Sequence, residues 1–108
     1  MSKLQHLLRY YLYDACPKSQ HQRRYEVIFR GQISAYAGNL STAIRQAVLL
    51  SFYHLRKDGR FFPVYVRENR TYRIVSRIED RDRVLKLGEA HLGLRLKKQE
   101  DSPKAMVG

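Results

Sequence analysis

The chain predicts an α+β domain: an antiparallel sheet of about four strands, one amphipathic helix (about residues 40–57) packed on one face, and a short C-terminal helix or strand. Three observations lead there. Residues 40–57 carry apolar side chains at helical spacing, whereas residues 23–35 and 61–78 alternate with period two. Turn-forming pairs, Gly38-Asn39, Asp58-Gly59 and Glu68-Asn69, separate the segments. A length of 108 residues suits a single core, and 44% hydrophobic residues can fill it. The expected domain is 1–98, with 99–108 as a solvated tail.

Residues 3–15 admit two readings. Leu4, Leu7, Leu8, Tyr11 and Leu12 fall at helical spacing over 3–13. Leu8–Ala15 is also aromatic-rich, with Tyr10 and Leu12 on one strand face and Tyr11 and Tyr13 on the other. Three tyrosines in four positions suit a pleated surface, which favours the strand and makes Pro17–Gln22 a hairpin loop. Residues 23–35 then read as one strand, with Tyr25, Val27 and Phe29 on one face and Arg24, Glu26, Ile28 and Arg30 on the other. Gly31 marks a bulge or the end of regular pairing.

Asn39 or Ser41 caps the helix that follows. Leu40, Ile44, Ala47, Val48, Ser51 and Leu55 form its apolar stripe, widened by Ala43, Leu50 and Phe52, while Arg45, Gln46, His54, Arg56 and Lys57 lie elsewhere. Arg56 and Lys57 complement the dipole of the last turn, and Gly59 supplies a left-handed stop. A hairpin is expected next, Phe61–Arg67 and Arg70–Ile78 around a two-residue turn at Glu68-Asn69. That register puts Phe61, Tyr65, Tyr72, Ile74 and Ile78 on the core face, and Phe62, Val64, Val66, Arg73, Val75 and Arg77 on the other. Pro63 cannot donate to a ladder, so this strand is at an edge or starts late. Glu79, Asp80 and Asp82 open a short helix with Val84, Leu85 and Leu87 on its apolar side and Gly88 as its stop. Leu92, Leu94 and Leu96 alternate as a last strand or arm.

Charge decides the functional expectation. The chain has 21 Lys plus Arg against 10 Asp plus Glu, a net of +11. Residues 1–78 hold 14 basic and 4 acidic side chains, residues 79–108 hold 7 and 6, so the excess belongs to the segment containing every tyrosine and phenylalanine. This is not a basic tail. Arginine outnumbers lysine 14 to 7, and a guanidinium fork suits phosphates and base edges. Self-repulsion of this size calls for an anionic partner. Arginine and aromatic residues interleave at Arg23-Arg24-Tyr25, Arg60-Phe61-Phe62, Tyr65-Val66-Arg67 and Arg70-Thr71-Tyr72-Arg73. Nucleic-acid-binding sheets use these residue types to hold phosphates and stack bases. The candidate phosphate contacts are Arg67, Arg70, Arg73 and Arg77, then Arg23, Arg24 and Arg30; Tyr65, Phe62 and Tyr10 are candidates for stacking, in competition with burial.

Catalysis is weakly supported. The four histidines, His6, His21, His54 and His91, show no zinc spacing, and Cys16 beside Pro17 has no evident base. Glu79, Asp80 and Asp82 are better explained as helix-start acids than as metal ligands, and no phosphate-binding glycine motif is present. No cofactor or metal is expected. A metal-free ribonuclease toxin, with His54 or His21 beside Arg73 or Arg77, is the lesser alternative. Basic charge on strands and turns, rather than along a helix face, argues against a membrane partner. No run approaches the roughly 18 apolar residues of a span, Met1–Tyr13 lacks the pattern of a signal peptide, and a lone cysteine suits a reducing cytoplasm.

In size, charge and strand–strand–helix–strand–strand plan the chain resembles many small proteins of phages and mobile elements. Some of these inhibit host nucleoprotein complexes, anti-CRISPR proteins among them. The resemblance implies an alternative function, occupation of a protein groove that normally holds nucleic acid, or a protein–protein adaptor role. An acidic partner subunit would match the charge as well. Oligomeric state is open, an unpaired edge near Pro63 or in residues 90–97 being the place where a second copy could pair.

Overall fold

The computed structural model describes residues 2–14 and 23–96. Its elements are α1 (Lys3–Leu8), a π-helical segment (Arg9–Asp14), β1 (Tyr25–Phe29), β2 (Gln32–Ala37), α2 (Leu40–Asp58), β3 (Val64–Glu68), β4 (Ile74–Ile78) and α3 (Arg81–Leu92). The four strands form one antiparallel sheet in the order β2-β1-β3-β4. This is the expected α+β class.

Helix α2 follows its sequence signals closely. Asn39 Oδ1 accepts from Thr42 N at 2.8 Å, and Gly59 closes the helix with φ +71°. Its buried stripe of Ala43, Ala47, Val48, Leu49, Phe52 and Leu55 covers one face of the sheet, where Val27, Phe29, Ala35, Ala37, Val64, Val66 and Ile78 meet it. Leu40, assigned to the stripe, is exposed at its first turn, and Gln46, assigned outside it, is fully buried. Gln46 is buried because its Nε2 donates to Tyr11 O (2.9 Å) and Tyr36 O (3.1 Å), fastening the π-helical segment and β2 to α2.

Four further expectations are corrected. The strand favoured over Leu8–Ala15 is helical as far as Asp14, where the described residues of that stretch end: Ser2 and Gln5 form a reciprocal capping box, and Leu4 is buried while Leu7, Leu8, Tyr11 and Leu12 pack on the core. The leucine stripe wins over local tyrosine preference because it can reach α2. Residues 23–35 are not one strand but a hairpin turning at Arg30-Gly31, whose φ values of +54° and +81° form a tight two-residue turn.

The β3–β4 connection is the third correction. It runs through five residues, Asn69–Arg73, which pairs Val64 with Ile78 and Tyr65 with Arg77. Parity therefore differs from that of a two-residue turn, and Val64 and Val66 join Ile78 in the core while Tyr65 faces away and Tyr72 and Ile74 are exposed. Pro63 directly precedes β3, so the strand starts late and lies inside the sheet; the edges are β2 and β4.

Finally, Gly88 lies within α3 and does not end it. An ideal Cβ at Gly88 would stand 3.3 Å from Phe52 Cδ2, so the glycine permits close packing of α3 on α2. The stop is Gly93 (φ +66°), with Leu94 N donating back to Gly88 O at 3.0 Å. Leu92 ends the helix and Leu94 returns to the core, so residues 92–96 are not a strand. The loop expected at Pro17–Gln22, Cys16, His21 and the tail at 99–108 lie outside the described residues.

Candidate nucleic-acid interface

Strand register divides the predicted arginines between two ends of the sheet. Tyr25 pairs with Glu68, and Phe29 pairs with Val64, four residues or ~13 Å along β1. At the Tyr25 end, two backbone segments are tied together. Asn69 N donates to Arg24 O (2.7 Å), and Asn69 Nδ2 donates to Arg23 O (2.8 Å). These bonds hold Arg23 and Arg24, which precede β1, beside the β3–β4 loop with Arg70 and Arg73. Gly38, leading into the N-terminus of α2, lies against the Arg23 guanidinium (3.1 Å from an ideal Cβ to Nη1). The positive end of that helix dipole therefore opens on the same side.

The loop is internally braced. Glu68 N donates to Arg73 O and Tyr72 N to Glu68 O, both at 2.8 Å. Thr71 Oγ1 donates to Glu68 Oε1 (2.9 Å) and accepts from Arg73 N (3.2 Å). Arg24 Nε reaches Glu68 Oε2 at 3.4 Å. The Thr71 hydroxyl first, then Arg24 and the charge of Arg73, hold the Glu68 carboxyl below its ordinary value of 4.5. Tyr72 closes the loop with φ +59°, a conformation that costs a non-glycine residue on the order of 1 kcal/mol.

Of the seven predicted arginines, Arg23, Arg24, Arg70 and Arg73 are exposed and gathered at this end. No carboxylate pairs with Arg23, Arg70 or Arg73 within ion-pair distance among the described residues. Arg67 belongs to the same end in a different role. It lies on the sheet face turned away from α2, with Nε 2.8 Å and Nη2 2.7 Å from Oε1 of the buried Glu26, and its guanidinium rests 5.0 Å from the Tyr72 ring centroid. A guanidinium committed in this way is a poor phosphate ligand.

Arg30 and Arg77 belong elsewhere. Arg30 sits in the β1–β2 turn at the Phe29 end, its guanidinium 4.3 Å from the Phe62 ring centroid. Arg77 is exposed on β4 opposite Tyr65. The predicted stacking residues are similarly occupied. Phe62 is half-buried against Phe29 and His54 and is also flanked by Arg60. Tyr65 donates its hydroxyl to Glu79 Oε2 at 2.9 Å, and that bond, with burial, holds its phenol above the ordinary 10.0. Tyr10 is exposed but belongs to the π-helical segment, edge-on to Tyr11.

Among the described residues, those considered for catalysis do not converge. His54 packs among Phe29, Tyr53 and Phe62, with Nδ1 3.3 Å from Asp58 Oδ2. Arg73 follows β3 at the other end of that strand, and Arg77 is on the opposite face of the sheet. Asp80 caps α3 by accepting from Asp82 N (3.0 Å), and Glu79 serves Tyr65, so these acids have structural partners.

Sequence reasoning missed Glu26, Glu68 and Asn69 as parts of this site, and it named Tyr72 in an arginine–aromatic run but assigned the ring to the core, whereas it is exposed. The available signal was the run Glu68-Asn69-Arg70-Thr71-Tyr72-Arg73, whose polarity suits a longer, self-bonded loop better than a two-residue turn. The fold and site thus define a small α+β protein with one braced cationic end. No family model, curated protein or solved structure matches the chain. No helix among the described residues is long and apolar enough to cross a membrane.

Proposed function

We propose that this protein binds nucleic acid without catalysis, holding phosphates at the Tyr25 end of the sheet with Arg23, Arg24, Arg70 and Arg73. The observation that carries the reading is the pair of Asn69 bonds to Arg23 O and Arg24 O. They hold two arginine pairs from distant parts of the chain at one place, so cations that repel one another are kept close by backbone bonding. A fold does this at a cost, and an anion offsets the cost. Sequence-independent phosphate contact follows from the residue types, since guanidiniums on a loop supply affinity more than selectivity.

The test is binding of the full chain to labelled RNA and DNA across a salt series, beside a triple variant, Arg23→Ala, Arg70→Ala, Arg73→Ala. Tight binding near physiological salt is expected, with a log–log salt slope that becomes shallower by about 2 to 3 in the variant, which lacks three phosphate contacts. An Arg30→Ala, Arg77→Ala variant is expected to keep most of the slope. A parent that does not bind, or a triple variant equal to the parent, would refute the assignment and turn attention to an acidic protein surface.

A further inference from the structure

We infer that Tyr72 is a base-stacking platform, and that the ligand of the cationic end is therefore an unpaired nucleotide rather than a paired duplex. The inference rests on the nucleic-acid reading above and deepens it. Among the described residues Tyr72 has the largest exposure of the large apolar side chains, 67%, on a residue whose backbone takes a left-handed conformation that tyrosine seldom adopts. Backbone and side-chain bonds from Glu68, Asn69, Thr71 and Arg73 hold that conformation in place. Packing gives no reason for it, since the ring contributes nothing to the core. The result of the bracing is a fixed backbone from which an aromatic ring projects into solvent.

Its surroundings match what a nucleotide needs. The Arg67 guanidinium lies against the ring at 5.0 Å, itself anchored by Glu26, so one side of the ring is backed by a fixed cation. A base laid on the opposite side extends this to a guanidinium–tyrosine–base stack. Arg70 and Arg73 flank Tyr72 in the braced loop and are exposed, so phosphate-binding side chains stand on both sides of the ring in sequence. Bases inside a duplex already have neighbours on both faces and must be prised apart to admit a ring, so a single projecting ring gains its stack at least cost from a base that is unpaired. Phe62, Tyr65 and Tyr10 lack this combination of exposure, backing cation and flanking arginines.

The test compares Tyr72→Asn, Tyr72→Phe and the parent on a labelled single strand of about 15 nucleotides and on the matching duplex, each across a salt series. Asparagine tolerates the left-handed backbone, so it removes the ring while keeping the loop. Tyr72→Asn is expected to weaken single-strand binding by roughly 10- to 100-fold, the loss of one stacked base, with the salt slope unchanged. Tyr72→Phe is expected to match the parent, and duplex binding to be the same for all three. The inference fails if Tyr72→Asn binds the single strand like the parent, if duplex affinity falls in step, or if Tyr72→Phe is as weak as Tyr72→Asn. In each of those cases a slope that still depends on Arg70 and Arg73 leaves the phosphate reading standing. A parent that binds neither strand overturns both.

Discussion

Removing the Arg67 side chain is expected to damage folding far more than nucleic-acid affinity, which separates it from its neighbour Arg70. Arg67 Nη2 stands 2.7 Å from Glu26 Oε1, with side chains 27% and 6% exposed respectively. At that distance the gross attraction is about 6 kcal/mol for an effective dielectric of about 20, most of it cancelled by desolvation of the two ions. Arg67→Ala leaves the buried carboxylate without its donors. Stranding one member of a fully buried pair costs about 3–5 kcal/mol, and the partial exposure of Arg67 lets water repair some of it, so about 2–3 kcal/mol is expected. That corresponds to a drop in Tm of roughly 10 °C for a domain of this size.

Urea denaturation followed by far-ultraviolet circular dichroism measures the change, with an unaltered dependence on denaturant showing that the unfolded reference is the same. The double variant Glu26→Leu, Arg67→Met, which replaces the pair with apolar groups, is expected to recover much of the loss. Arg70→Ala is expected to leave stability within about 0.5 kcal/mol of the parent and to lower the salt slope by about 1. The reasoning is refuted if Arg67→Ala is as stable as the parent while its salt slope falls as far as that of Arg70→Ala. Arg67 would then be a phosphate ligand and its bond to Glu26 incidental.

Gly88→Leu, which forces a side chain into Phe52 and Val48 across the α2–α3 contact, is expected to cost at least about 2 kcal/mol by chemical denaturation. A neutral result would show that the helices can part without penalty. Gln46→Leu keeps volume but strands Tyr11 O and Tyr36 O; a loss of about 2 kcal/mol and faster amide exchange over Arg9–Asp14 are expected, and unchanged exchange would contradict the clamp. For Glu68 the carboxyl is depressed in the folded state, so its stabilising contribution is present above the ordinary 4.5 and disappears as pH falls through the lower folded value. Side-chain NMR titration should find Glu68 below 4.5 and Thr71→Val should move it upward; a normal value in the parent would remove the brace from the loop.

Much of the architecture was legible because it depends on local physics. The helix over Leu40–Asp58 carries its stripe within its own residues and its cap and glycine stop in the residues on either side, and the structure follows those bounds almost to the residue. The acid cap of α3 at Asp80 was readable for the same reason. Errors arose where two local choices were close in energy. The N-terminal segment held both a leucine stripe and a tyrosine cluster, and only contact with α2 favours the stripe. Gly88 looked like a stop because nothing nearby in sequence reveals Phe52, which is 36 positions earlier. Arg30-Gly31 lacks the asparagine or aspartate that usually announces a two-residue hairpin turn.

The site divides in the same way. Composition identified the arginines and their association with aromatics, since charge and residue type are properties of the chain. It could not say which cations are exposed and which are committed. That depends on register: the five-residue β3–β4 connection turns Tyr65 away from the core, and β1–β3 pairing sets Arg67 opposite Glu26. The sequence by itself determined a basic α+β domain with one long covering helix, because periodicity, caps and net charge are local or summed quantities. Only the tertiary structure decided that four arginines from two distant segments share one end, that Arg67 is held by Glu26, and that Tyr72 projects from a braced turn. Pairing register and long-range hydrogen bonds set these outcomes, and neither is written in any single segment of the chain.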